Sequence, residues 1–356
     1  MGDLHGAFPG AHKVLALQKV RPGRGLEYRR PGEPLPQEGE VIVRVHCAGI
    51  CGTDIHIAEW ASGYEAMEPA MPVTLGHEFS GRIESVGRGV ATHVVGARVT
   101  ARPSVTCGRC AACLASNEDN CSGRKGVGIG RHGAFAELVS VPYRNCHLVP
   151  EGLDLDIAAL TEPMTVCAEA VATAQVSQGQ TVLVVGPGFI GQGIAILARA
   201  KGAAVVVVGR DDRTRLAALA KLGFPHLIDT KHTELEKALA AFAPFDAIIE
   251  AAGVPSLVNA CLPFLKKRGN FTIVGIHPKA AQVDLTALVR MHQQIRGSYR
   301  ASPETWDDIL AFLNNNQEMM RGLISHQFPL AEALDGFALT GERIASKVML
   351  RIAAGS

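Results

Sequence analysis

Cys51-Gly52-Thr53-Asp54-Ile55-His56, Gly76-His77-Glu78 and the isolated Glu162 put a thiol, two imidazoles and three carboxylates in one chain. Mixed sulfur, nitrogen and oxygen donors suit zinc, and a catalytic zinc needs only three protein ligands, which leaves a coordination position for substrate. Cys51, His77 and one of the two glutamates, Glu78 or Glu162, are the candidate ligands. Alone, His77 reads as a satisfied core histidine; the company of Cys51 and Glu78 turns it into a ligand candidate, and Gly76 is expected to let the backbone approach the metal. Glu162 lies in an otherwise apolar stretch, Ile157–Leu160 and Met164–Cys167, so a buried role with a partner is expected. Thr53 and His56 follow the cysteine closely enough to pass a proton from a bound alcohol to solvent.

A second constellation is denser. Cys107, Cys110, Cys113 and Cys121 have the spacing Cys-x2-Cys-x2-Cys-x7-Cys. Four thiolates around one tetrahedral zinc leave no open position, so this set predicts a structural lobe. An iron–sulfur cluster is the weaker competitor. Crowded cysteines in a reducing compartment point to metal rather than disulfides.

The third signal is Gly186-Pro187-Gly188-Phe189-Ile190-Gly191. It follows Thr181–Val185, a β-branched run suited to a buried parallel strand, and opens the helical pattern 194–200. Glycines there permit a tight turn and bring backbone amides to a pyrophosphate at the helix N-terminus. With a further strand at 204–208, the pattern predicts dinucleotide binding.

The remaining elements position these groups. A strand at Glu40–Cys47, alternating Val41, Val43, Val45 and Cys47 with Ile42, Arg44 and His46, runs into Cys51 and opens an antiparallel β domain. Alternation returns after Gly81, through Ile83, Val86, Val90 and Val94, and again over 133–150. Residues 155–174 read as one helix. Beyond 180, helices at 213–222, 234–242 and 257–267 alternate with strands at 227–228, 246–250 and 270–274, the pattern of a doubly wound parallel sheet. A last strand is expected at 295–299, a helix at 305–314 and β-like runs near 348–352.

The chain has 356 residues, enough for two domains, and a formal net charge of +1 from 35 basic and 34 acidic residues. Such balance offers no field for nucleic acid or an anionic membrane. Partners are therefore expected to be small molecules and copies of the chain. No apolar run is long enough to span a bilayer, and residues 1–14 lack a basic apolar leader, so the chain reads as cytoplasmic.

In this order and at these distances, Cys51-Gly-Thr-Asp-x-His56, Gly76-His77-Glu78, the four-cysteine lobe and Gly186-x-Gly-x-x-Gly191 resemble the zinc-dependent medium-chain alcohol dehydrogenases. Glu162-Pro163-Met164, where others of the family carry a cysteine ligand, is most similar to the branch of sorbitol and threonine dehydrogenases. The resemblance implies a GroES-like antiparallel β catalytic domain, from residues 1–163 and 300–356 with the zinc lobe at 105–123, around a Rossmann NAD(P)-binding domain at 164–299. It implies two zinc ions per subunit, a homodimer or homotetramer, and reversible hydride transfer between a secondary alcohol (a polyol, diol or amino alcohol) and NAD(P). Cys51 and His77 would be direct ligands, Glu162 or Glu78 would complete the set, Thr53 and His56 would relay the proton, and Arg300 would face the substrate. A zinc-free reductase of the superfamily would lack Cys51 and His77, and a non-catalytic nucleotide-binding member has no need of an open metal position. Two departures stand out. Gly96-Ala97-Arg98-Val99 replaces the usual Gly-Asp-Arg-Val, and Arg210, followed by Asp211, Asp212 and Arg213, stands where an acidic residue normally holds the NAD ribose. Arginine favours the 2′-phosphate of NADP, whereas Asp211 would favour NAD if the strand ended one residue later. Trp60, Tyr64 and the loop to Met71 are expected to line the cleft.

Overall fold

A computed structural model describes residues 13–352. The reading of residues 1–14 as free of a leader falls, except for Lys13 and Val14, outside the described residues. Among the described residues no helix is long and apolar enough to cross a membrane.

Two large sheets dominate. In the first, of seven strands, Glu40–Gly49 pairs antiparallel with Glu78–Val86, with Leu138–Pro142 and with Lys347–Arg351. The alternation expected in Glu40–Gly49 is realised in part: Val41, Val43 and Val45 share one core while Arg44 faces solvent, but Ile42 is buried on the other face and an irregularity between Val45 and Cys47 turns Cys47 into a different core. Because Lys347–Arg351 joins the same sheet, the C-terminal segment completes a core begun 300 residues earlier, at Val41, Val43 and Phe79 with Val348 and Leu350.

The second sheet has six parallel strands in the spatial order His226–Asp229, Ala204–Gly209, Thr181–Val185, Phe245–Glu250, Leu265–Ile273, Gln294–Gly297. The first of these in sequence, Thr181–Val185, sits in the middle, so the direction of winding reverses between it and Phe245–Glu250. Ligands of doubly wound sheets bind in the crevice at that reversal. Alternate residues of the central strands serve different cores, Val182 and Val184 on one face, Leu183 and Val185 on the other, as a sheet covered on both sides requires.

Several expectations shift. The helix expected over 155–174 breaks into Leu155–Ala158 and Thr161–Thr173; Pro163 has no N–H to give the Ala159 carbonyl, so the ladder cannot run through. The helix expected over 257–267 ends at Cys261, and Leu265–Ile273 is strand. Pro263 again removes a donor, and Lys266 pairs with Asp246 of the neighbouring strand at 2.7 Å. Strand Glu78–Val86 stops before Val90 and Val94. The strand expected at 204–208 ends one residue later, at Gly209.

Candidate active site

Strand Glu40–Gly49 delivers Cys51 to the N-terminus of the helix Gly52–Glu59. Asp54, three residues on and completely buried, accepts the Cys51 N–H through Oδ2 at 2.9 Å. Its other oxygen, Oδ1, lies 3.6 Å from His77 Nδ1, and neither atom has a hydrogen-bond partner. Ligand atoms of Cys51, His77 and Glu78 all lie within 4.8 Å of one another. Burial disfavours a charged His77, yet Asp54 and Cys51 carry its pKa well above the ordinary value. A pocket that forces a proton onto an imidazole has an excess of negative charge that a metal cation answers, and a carboxylate behind the distal nitrogen is the usual support of a zinc-bound histidine. The residues therefore fit zinc.

Glu78 and Lys347 form a buried ion pair, and the Lys347 ammonium also donates to the Ile50 carbonyl at 3.1 Å and sits 5.1 Å above the Phe189 ring. Gly49 makes room for it: in register opposite Glu78, a Cβ there would collide with the carboxylate and the Lys347 stem. Gly76, with φ +90°, also leaves room for the Phe135 ring, which a Cβ there would strike. Glu162, on Thr161–Thr173, has no hydrogen-bond or ion-pair partner for its carboxylate among the described residues; burial pushes it up to about 7, with the charge of His77 opposing. It borders a cavity of about 720 Å³ that Arg300, Tyr299 and Trp306 also line. Arg300 is exposed there, its guanidinium 4.6 Å over the Tyr299 ring.

Thr53 and His56 occupy the same helix as Asp54, and both are partly exposed. Tyr64 joins them: its ring stacks on His56 with centroids 6.5 Å apart, and burial raises its phenol while a hydrogen bond with the Thr53 side chain opposes that. Trp60 ends this helix in a left-handed conformation and packs under the buried Lys19 ammonium, 5.3 Å from the ring centroid.

Cys107, Cys110, Cys113 and Cys121 converge, with Sγ separations of 4.0 Å (Cys107 to Cys113) and 3.5 Å (Cys110 to Cys113). The edge of a tetrahedral zinc–sulfur site is roughly 3.8 Å from a ~2.3 Å bond. Backbone amides, led by Cys113 N–H, hold the Cys110 thiol down at about 5, while burial pushes the neighbouring Cys113 thiol up to about 12. The short pairing of Ser104–Val105 with Lys125–Gly126 closes the lobe.

In the parallel sheet, Gly186 has φ +98°, and a Cβ on Gly191 would strike the Gly186 carbonyl, whereas the space around Gly188, the residue capping helix Phe189–Ala200, is open. Tight turn, close helix–strand contact and open helix terminus are the three features a pyrophosphate site needs. Phe189 and Ile190 begin the helix beneath it. At the end of Ala204–Gly209, Asp211 is paired with Lys231 at 2.7 Å and Asp212 with Arg215 at 3.2 Å. Arg210 and Arg213 are exposed and have no ion-pair partner among the described residues.

Asp54 and Lys347 escaped the sequence reading as site residues. Asp54 had a signal, its place three residues after an N-terminal cap. Lys347 had none, being 269 residues from Glu78.

Residues 37–151 match the family model described as alcohol dehydrogenase GroES-like domain, and residues 190–315 the one described as zinc-binding dehydrogenase. The chain is 32% identical over 327 residues to a sorbitol dehydrogenase of Halalkalibacterium halodurans, covering 90% of this chain and 94% of that one. It is 33% identical over 345 residues to an L-threonine 3-dehydrogenase of Chelativorans sp., covering 95% and 98%. Its fold superposes on a putative zinc-binding dehydrogenase from Sinorhizobium meliloti bound to NADP, with a TM-score of 0.84, 28% identity and coverage of 96% and 99%. An alcohol dehydrogenase from E. coli complexed with NADH gives a TM-score of 0.85 at 28% identity, covering 96% and 100%. With a converged Cys51–His77 pair, a four-cysteine lobe and a glycine turn on a doubly wound sheet, the chain belongs to the zinc-dependent medium-chain alcohol dehydrogenases.

Proposed function

We propose that this enzyme oxidises a secondary alcohol (a polyol, diol or amino alcohol) reversibly, with NAD(P) as hydride acceptor. The convergence of Cys51 and His77 beside two buried carboxylates carries the reading. Cys51 and His77 hold the catalytic zinc, and Glu162 is the third protein ligand, because Lys347 already neutralises Glu78 while Glu162 has no partner. Zinc there supplies a Lewis acid that polarises the alcohol oxygen and lowers its pKa. The Thr53 hydroxyl takes the alcohol proton and His56, on the same helix and partly exposed, passes it to solvent. Arg300 and Glu162 border one cavity, whose lining includes none of Cys51, His77, Thr53 and His56; Glu162 is the residue it shares with the proposed zinc site. Four cysteines of the lobe hold the second zinc.

Nicotinamide supplies the hydride acceptor. The Gly186–Gly191 turn holds the pyrophosphate, and Arg210 with Arg213 favours the 2′-phosphate of NADP. Although the strand ends at Gly209, Asp211 is engaged by Lys231, which leaves the two arginines as the free groups at the ribose end. In this reading residues 1–163 and 300–356 form the catalytic domain and 164–299 the nucleotide domain. The enzyme is cytoplasmic, consistent with nine free cysteines. It assembles as a homodimer or homotetramer, for which Leu285 and Val289, 67% and 72% exposed, lie close in sequence to the sheet's edge strand Gln294–Gly297. The test is a panel of polyols, diols and amino alcohols assayed by nicotinamide absorbance with each cofactor, on wild type and Cys51→Ser. Turnover by wild type only supports the reading; equal turnover by both proteins overturns the zinc assignment.

A further inference from the structure

The turns that follow three parallel strands meet backbone to backbone at the crevice. A Cβ on Gly186 would press on Ala252, one on Gly253 on the Ile276 carbonyl, and one on Gly275 on the Gly253 amide. A buried carboxylate pins this contact. Glu250 Oε1 accepts the Ala252 N–H at 2.8 Å and the Val254 N–H at 3.4 Å, while Oε2 faces His277 Nε2 at 3.4 Å. Both Oε2 and Nε2 are buried and have no hydrogen-bond partner among the described residues. His277 Nδ1 lies 3.0 Å from the Gly275 carbonyl, which can only accept, so Nδ1 carries a proton and Nε2 is left to Glu250. A single proton placed between Nε2 and Oε2, which face each other at 3.4 Å, would satisfy both atoms. Burial pushes the Glu250 carboxyl up, with His277 opposing; Cys261 is the other titratable group beside it.

The position of this pair gives it a role. The pyrophosphate turn follows Thr181–Val185, and the arginines of the ribose end follow Ala204–Gly209 on one side of it, so the other half of a dinucleotide must extend over the strands on the opposite side, Phe245–Glu250 and Leu265–Ile273. Ile276, 62% exposed, stands at that end beside His277. We infer that His277, through a proton shared with Glu250, is a positioning residue that fixes the Gly275–His277 turn against the nicotinamide half of the cofactor. This rests on the dinucleotide reading above.

The test separates the two halves of the ligand. Fluorescence titration with NADH and NADPH, and competition by ADP-ribose and its 2′-phosphate, which lack nicotinamide, are measured on zinc-loaded wild type, His277→Ala and His277→Gln. His277→Ala is expected to raise the Kd for the reduced cofactor about tenfold, the worth of one buried hydrogen bond. ADP-ribose affinity should hold within about twofold, and His277→Gln, whose amide can donate to Glu250, should restore most of the loss. If the Ala variant does not fold, His277→Asn, too short to reach Glu250, replaces it. Unchanged cofactor affinity, equal loss of both probes, or no rescue by Gln overturns the inference. A wild type that binds no nucleotide refutes the cofactor reading itself.

Discussion

Asp54 stands behind His77, its Oδ1 3.6 Å from Nδ1, while its Oδ2 receives the Cys51 amide. One carboxylate thus faces both Cys51 and His77, the pair proposed to hold the catalytic zinc. Asp54→Asn keeps an acceptor for the Cys51 N–H and removes the negative charge facing the imidazole. It is expected to weaken zinc at the catalytic site about 10- to 100-fold and to leave the cysteine lobe loaded. Chelator competition measures this, and a release rate equal to that of wild type would refute the support role.

Cys110→Ser removes a corner of the second site. Since structural zinc contributes folding free energy, the variant is expected to bind about one zinc per chain and to be cleaved preferentially within residues 105–123. Metal analysis and limited proteolysis check it; two retained zincs, or substantial iron in protein purified without air, would contradict the assignment.

The proposed preference for NADP rests on Arg210. With Asp211 held by Lys231 and Asp212 by Arg215, Arg210→Ala is expected to cost about tenfold or more in kcat/KM with NADP, one charge-assisted hydrogen bond's worth, and little with NAD. Equal losses with both cofactors would remove Arg210 from phosphate recognition.

Acid stability reports on Asp156, which joins His46 of strand Glu40–Gly49, at 3.2 Å, to Arg351 of the C-terminal strand, at 2.9 Å. The His46 imidazole facing it holds its carboxyl below the usual range; burial opposes and Arg351 assists. A lowered folded pKa contributes stability that is present above the ordinary value of ~4 and is lost as pH falls through the folded value. Asp156→Asn is therefore expected to be less stable by about 1 kcal/mol at neutral pH, with the difference shrinking below about pH 4. Denaturant midpoints across that range decide it, and parallel curves for the two proteins would refute the linkage.

Local chemistry was legible in the sequence wherever the residues that act together are neighbours in the chain. Cys107, Cys110, Cys113 and Cys121 span fifteen residues, and their spacing alone limits what they can bind; the glycine turn after Thr181–Val185 and the parallel strands beyond it follow from β-branched runs and glycine conformations. Cys51 and His77 could be paired by residue type, although only pairing of Glu40–Gly49 with Glu78–Val86 brings them together. Where partners are distant the sequence was silent. Lys347 finds Glu78 because the C-terminal strand lies on the far side of Gly49, and His277 meets Glu250 because successive parallel strands end at one crevice. The helix expected over 257–267 failed for a related reason. Lys266 and Lys267 suit a helix locally, but pairing of Leu265–Ile273 with Phe245–Glu250 and Gln294–Gly297, and a proline that cuts the helix short, decide otherwise. Spacing along the chain fixes which ligands are offered; the register between strands decides which charges they face.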